Sequence, residues 1–122
     1  MNLKIAPEQI RFRISETEFA TLTATGSLQN VTQLAECNRL DYRIRVNAAP
    51  RSTADQVLEF SSTITSAGTQ LMLTVFADGI RQLQSSDAGK DGIREHLSFA
   101  NGDLLSIGLE IDLHSKKGAA GS

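Results

Sequence analysis

Tryptophan is absent from this chain, tyrosine occurs once, and aromatic residues make up only 5% of it. Whatever core forms must therefore be built from aliphatic and β-branched side chains. Cysteine also occurs once, at Cys37, which excludes an internal disulfide and fits a reducing compartment. No stretch approaches the roughly 20 apolar residues that a membrane helix needs. The N-terminal residues Met1 to Ile5 have neither a long apolar segment nor a small-residue cleavage site, so no secretory leader is expected there. A cytoplasmic protein with no membrane partner is the expectation. Basic residues number 12 against 14 acidic ones, without a run of lysine and arginine. A duplex-binding surface must neutralise several phosphates with a basic stripe, so nucleic acid is not an expected partner.

A chain of 122 residues is the usual length of one domain and can bury a core without disulfides or metals. We expect one globular domain over residues 1–114. Residues 115–122 have no apolar periodicity and read as a loose tail.

Alternation supplies most of the structural signal. Leu40, Tyr42, Ile44 and Val46 alternate with Asp41, Arg43 and Arg45, the pattern of a strand with one wet face. Leu105, Ile107, Leu109, Ile111 and Leu113 repeat it. Strands are expected at 3–5, 9–14, 28–34, 39–46, 56–65, 70–75, 93–99 and 104–113. Asn101-Gly102 is the strongest hairpin signal, because both residues tolerate positive φ. Ala67-Gly68 is a weaker one, Ala6-Pro7-Glu8 turns the first strand onto the second, and 47–55 is the longest loop.

An alternating strand runs into a short amphipathic helix at two places. In the first, Ser15 can accept from the Glu18 amide while the Glu18 carboxylate reaches back to the Ser15 amide, a reciprocal capping box. Ile14 before the cap falls where it packs on Phe19, and Gly26 supplies the left-handed stop. Laying Ile10 on Leu71 also superposes Phe12, Ile14, Phe19 and Leu22 on Leu73, Val75, Ile80 and Leu83. The second helix lacks the capping box. The coincidence reads either as a duplicated ββαββ unit or as two unrelated strand-helix corners. In either case about eight strands and two short helices give a mainly β, α+β fold. An antiparallel β-barrel and a two-layer sandwich both bury one face of every strand.

Three groups of residues bear on chemistry. Arg11 and Arg13 flank Phe12, Arg43 and Arg45 flank Ile44, and Arg94 follows Ile93. If their strands are neighbours, Arg11, Arg13, Arg43 and Arg45 could converge on an anionic ligand, since guanidinium offers a planar donor fork. The competing reading pairs them across strands with Asp41, Glu59, Glu95, Glu110 and Asp112. Cys37, His96 and His114 are metal-ligand types without metal-site spacing, so no metal or cofactor is expected. By alternation His96 shares the polar face with Arg94 and Ser98. The loop 85–92 holds glycines, Lys90 and two aspartates, but matches neither a phosphate loop nor a calcium loop, and reads as a turn. No catalytic motif is recognisable.

The runs Leu3-Lys4-Ile5 and Ile10-Arg11-Phe12-Arg13-Ile14-Ser15, followed by Glu16 to Phe19, resemble a small family of bacterial proteins known as a domain of unknown function. Val75, Ile80 and Ser85-Ser86-Asp87 sit where that family has a comparable segment. The C-terminal Leu113-His114-Ser115-Lys116 and its Gly/Ala tail depart from the family's pattern. The resemblance implies no activity. Two functions stay open on the sequence: a non-enzymatic binding or assembly module, whose strand edge or sheet face pairs with itself or another protein, and a small anionic-ligand-binding barrel. Few prolines stand in the way of edge pairing.

Overall fold

In the computed structural model the described residues are 1–47, 57–84 and 92–112. The expected loops at 47–55 and 85–92, His114, and the expected tail lie wholly or largely outside them. The order of elements is β1 (Asn2–Ala6), β2 (Gln9–Ser15), α1 (Glu16–Thr25), β3 (Ser27–Ala35), β4 (Asn38–Asn47), β5 (Leu58–Thr65), β6 (Gly68–Phe76), α2 (Ala77–Gln84), β7 (Ile93–Ser98) and β8 (Leu104–Asp112). The chain is therefore two successive ββαββ halves.

The strands form two four-stranded sheets, ordered β1-β2-β8-β7 and β3-β4-β6-β5. Each hairpin pairs antiparallel with itself. The central pairs are parallel: Phe12 lies beside Leu109 in the first sheet, and Ile44 beside Leu73 in the second. An all-antiparallel arrangement is thus corrected at the centre of each sheet. The reason is that α1 and α2 carry the chain away before the next hairpin begins, so hairpins from opposite halves meet side by side. Replacing β1, β2, β3 and β4 by β5, β6, β7 and β8 converts one sheet order into the other, a topological two-fold. Its central rows are Leu3-Phe12-Leu109-Ile93 and Phe60-Leu73-Ile44-Leu28. The superposition read from Ile10 and Leu71 follows this symmetry, with Leu22 and Leu83 both buried and Phe19 and Ile80 both half-buried on the core.

Of the barrel and the sandwich, the two-layer arrangement is the one observed. The two inner faces share one core that includes Phe12, Ile14, Ile44, Leu73, Val75, Ile107 and Leu109. Phe12 meets Phe60 across the layers, edge to face, with ring centroids 6.4 Å apart. Strand β7 of one sheet does approach β5 of the other, yet the two sheets remain separate ladders. At that seam the Glu95 carboxylate accepts from the Val57 N–H at 2.8 Å, so a side chain stands where a barrel would have strand pairing.

Local sequence explains the ends of the elements. The Glu18 N–H donates to Ser15 Oγ at 3.0 Å and the Ser15 N–H to the Glu18 carboxylate at 2.9 Å, the expected capping box. Gly26 closes α1 at φ +89°, its N–H bonded to the Leu22 carbonyl at 2.8 Å. Helix α2, without a capping box, spans Ala77–Gln84 of the described residues. Gly68 opens β6 at φ +146° so close to β4 that a Cβ there would stand 1.9 Å from the Arg39 carbonyl oxygen.

The Glu18 carboxylate also accepts from the N-terminal ammonium of Met1 at 2.5 Å. Burial pushes its pKa up, but the ammonium, the Ser15 amide and the Ser15 hydroxyl outweigh burial and hold it below the ordinary glutamate value of 4.5. A carboxyl depressed by folding stabilises the fold above its unfolded pKa and loses that contribution as pH falls through its folded one. Glu18→Gln should therefore melt below wild type at neutral pH, with the gap closing under acid conditions. A gap independent of pH would contradict this role of the charge.

Candidate functional site

The alternation that fills the core fixes where the charged residues go. On the outer face of the first sheet, Lys4, Arg11, Gly108 and Arg94 form one row, and Asn2, Arg13 and Glu110 the next. On the outer face of the second, Ser27, Arg45, Thr74 and Glu59 form a row, and Gln29, Arg43, Met72 and Ser61 its neighbour. Arg11 and Arg13 are thus in a different sheet from Arg43 and Arg45, and both pairs turn away from the shared core. The four do not converge, because β2 and β4 are central strands of different sheets.

Most of these guanidiniums have partners on their own face. Arg11 lies 3.8 Å from Glu110 and Arg13 3.3 Å from Asp112, each diagonally across the parallel pair. The Gln9 amide oxygen, turned toward Arg11, accepts from its guanidinium at 2.6 Å. Arg43 lies 3.3 Å from Asp41, two residues back on the same strand, and Asp41 also accepts from the Gln29 amide at 3.2 Å. The Arg45 Nε donates to the hydroxyl of buried Thr74 at 3.0 Å. Exposed pairs of this kind are worth about 0.2–1 kcal/mol each, which makes them surface ladders more than anchors. Gly108 has its own part here: the Arg11 and Arg94 stems lie 3.7 and 3.6 Å from where a Cβ would be, so its bare backbone leaves room for two long side chains.

The other candidate ligands are dispersed. Cys37 is free and exposed in the turn between β3 and β4 of the second sheet, and His96 is exposed on β7 of the first. No group of three metal-ligating side chains occurs among the described residues. An open hollow of about 440 Å³ lies where the β3-β4 and β5-β6 turns meet, lined by Gln33, Glu36, Cys37, Arg39, Ser66 and Ala67. A neighbouring one of about 220 Å³ is bounded by Arg39, Asp41, Arg43 and Gln70. No helix among the described residues is long and apolar enough to cross a membrane.

One residue is placed differently from the sequence reading. Glu95 is read there as a cross-strand partner for an arginine, whereas its register with Ile107 and its parity with Ile93 and Leu97 turn it toward the core side, where it accepts from the Val57 amide. That parity is the signal that could have found it.

The feature that stands out is an edge. Strand β3 spans Ser27–Ala35, borders the second sheet, and is exposed along nearly all its length. Its sequence, Ser-Leu-Gln-Asn-Val-Thr-Gln-Leu-Ala, has no charge, no proline and no glycine. The other edges carry protection. Strand β1 has five residues and includes Lys4, β7 carries Arg94, Glu95 and His96, and β5 carries Glu59 and is tied to β7 through Val57. Charges, short length and covering neighbours are among the means by which edges avoid adventitious pairing; among the described residues β3 has none of these, and its one irregularity is the register shift between Gln33 and Ala35 at its end. The Val46 N–H donates to the Gly26 carbonyl at 2.9 Å. In the antiparallel register that continues from it, Leu28, Asn30 and Thr32 bond to β4, while the N–H and C=O of Gln29, Val31 and Gln33 face outward.

The chain belongs to a family of unknown function, DUF7009, whose sequence model matches residues 1–117. No curated protein and no solved structure matches it.

Glu95→Ala should leave the Val57 amide unpaired at the β5-β7 seam and lower unfolding stability by about 1–3 kcal/mol, readable by denaturant titration. Arg13→Ala, which removes only an exposed pair, should change stability by less than about 1 kcal/mol. Equal effects of the two would contradict the distinction between seam and ladder.

Proposed function

We propose that this protein is a non-enzymatic assembly module that takes up an extended strand along β3. The observation that carries the reading is the combination, at one edge, of outward backbone groups at Gln29, Val31 and Gln33 with a nine-residue stretch free of charge, proline and glycine. Strand addition draws its affinity from main-chain hydrogen bonds and its selectivity from alternate side chains. Val31 and Leu34 are 44% and 57% exposed and would supply the apolar part. The anionic-ligand alternative has less support, because Arg11 and Arg13 are in one sheet, Arg43 and Arg45 in the other, and three of the four have a carboxylate in reach. A reducing, cytoplasmic setting belongs to the same proposal, supported by the exposed free thiol of Cys37.

The test is binding of a fluorescent peptide with the Ser27–Ala35 sequence to the full chain, read by anisotropy. Val31→Pro removes an outward N–H that β4 does not use, and proline is tolerated on the open side of an edge strand, so the variant should keep its fold. It should bind the peptide about tenfold more weakly or worse, through a lost hydrogen bond and a crowded edge. Absence of saturable binding to wild type, or equal binding by Val31→Pro, would overturn the reading.

A further inference from the structure

The open edge is nearly the same read in either direction. Residues 28–34 are Leu-Gln-Asn-Val-Thr-Gln-Leu, a palindrome about Val31 except for Asn30 and Thr32, which are both small, polar and uncharged. We infer that β3 pairs with β3 of a second copy of this chain, antiparallel, about a two-fold axis through Val31. The inference rests on the strand-addition reading and names its occupant.

The ladder parity fixes the register. In an antiparallel pair, residues that exchange both hydrogen bonds stand directly opposite each other. The residues with outward groups here are Gln29, Val31 and Gln33. An axis through Val31 sets Val31 against the partner's Val31 and Gln29 against the partner's Gln33. This is also the register that overlaps the whole of Ser27–Ala35. The three hydrogen-bonded pairs supply about six main-chain hydrogen bonds, two from each.

The side chains agree with the backbone. An isologous contact must be self-complementary, and a strand without charge sets no like charges opposite one another, which would be destabilising. On the outer face, Val31 gains an apolar neighbour in its own copy and Gln29 gains an amide. On the inner face, Leu34, left bare at the bulge where β3 shifts register against β4, comes to the end where the partner's Leu28 lies. The two outer faces then join into one eight-stranded sheet. Its joining rows run from Asp41 through the two valines to the partner's Asp41, and from Arg43 through two glutamines to the partner's Arg39. These charges stay separated by the paired edges. Peptides that copy β3 would imitate the partner, which is why the full chain is needed for the decisive test.

The experiment uses the full chain with Cys37→Ser, carrying Val31→Cys, Gln29→Cys or Gln33→Cys singly, under mild oxidation, alongside sedimentation of the wild type over a range of concentrations. In the inferred register the Val31 Cα atoms lie about 5.5 Å apart, inside the window for a disulfide. Two copies of position 29 are offset by four residues, about 13 Å along the strand, and cannot be bridged. We expect a covalent dimer from Val31→Cys, little from either single glutamine variant, and a dimer from Gln29→Cys mixed with Gln33→Cys. We also expect a sedimenting mass that doubles with concentration. A wild type that stays monomeric, or cross-linking of Gln29→Cys alone as fast as Val31→Cys, would overturn the inference. If that happens while the β3 peptide still binds, the edge accepts a strand but not its own copy. If the peptide fails as well, both readings fall.

Discussion

The parallel pairing of β2 with β8 and of β4 with β6 is the constraint on which the rest of the fold depends. Each ββαββ half makes two hairpins, and the intervening helix delivers them to different sheets. Neither half can complete a sheet alone, so every central strand finds its parallel neighbour in the other half of the chain. Parallel pairing needs a long crossover, whereas a hairpin does not, and this division of labour sets the architecture. Local contacts make the hairpins, and long-range contacts between Phe12 and Leu109, and between Ile44 and Leu73, join them.

From that constraint follows which surfaces are open. Central strands turn one side chain in two toward the common core, so Arg11, Arg13, Arg43 and Arg45 are sent to outer faces. There they meet carboxylates, glutamines and the Thr74 hydroxyl. Among the described residues, two separate sheets also leave four edges. Three of these are short, charged or held to a neighbour, and the fourth is β3. The two-fold of the fold makes the contrast plain, because β7 occupies the place in one sheet that β3 occupies in the other. Strand β7 has Arg94, Glu95 and His96 where β3 has Gln29, Asn30 and Val31. The same backbone position is guarded in one half and bare in the other, and a scaffold requirement cannot account for that difference.

Much of this was legible in the sequence, for reasons that are local. Ser15 and Glu18 announce the start of α1 and Gly26 its end, since caps act within a turn of chain. Period-two alternation placed the strands, and the match of Ile10, Phe12 and Ile14 with Leu71, Leu73 and Val75 foreshadowed the two-fold. What could not be read was pairing at a distance. Whether β2 and β4 share a sheet decides whether four arginines meet, and nothing in either strand says so. Glu95 reads as an arginine's partner because carboxylates on strands pair with cations across the ladder, and its inward parity has meaning only beside the Val57 amide. The symmetry of residues 28–34 was present in the sequence but silent. It acquired a physical meaning when the ladder showed that the residues with outward groups were the two glutamines and the valine between them.

The state of the β3 edge is probed most directly by amide hydrogen exchange of the dilute chain, resolved by residue. Amides bonded to β4 should be protected and those facing outward should not. The prediction is a period-two pattern, with Leu28, Asn30 and Thr32 slow and Gln29, Val31 and Gln33 fast. Uniform protection along β3 at low concentration would mean that the edge is covered within one chain. Uniformly fast exchange would mean that β3 is not held in the sheet, and either result would contradict the account.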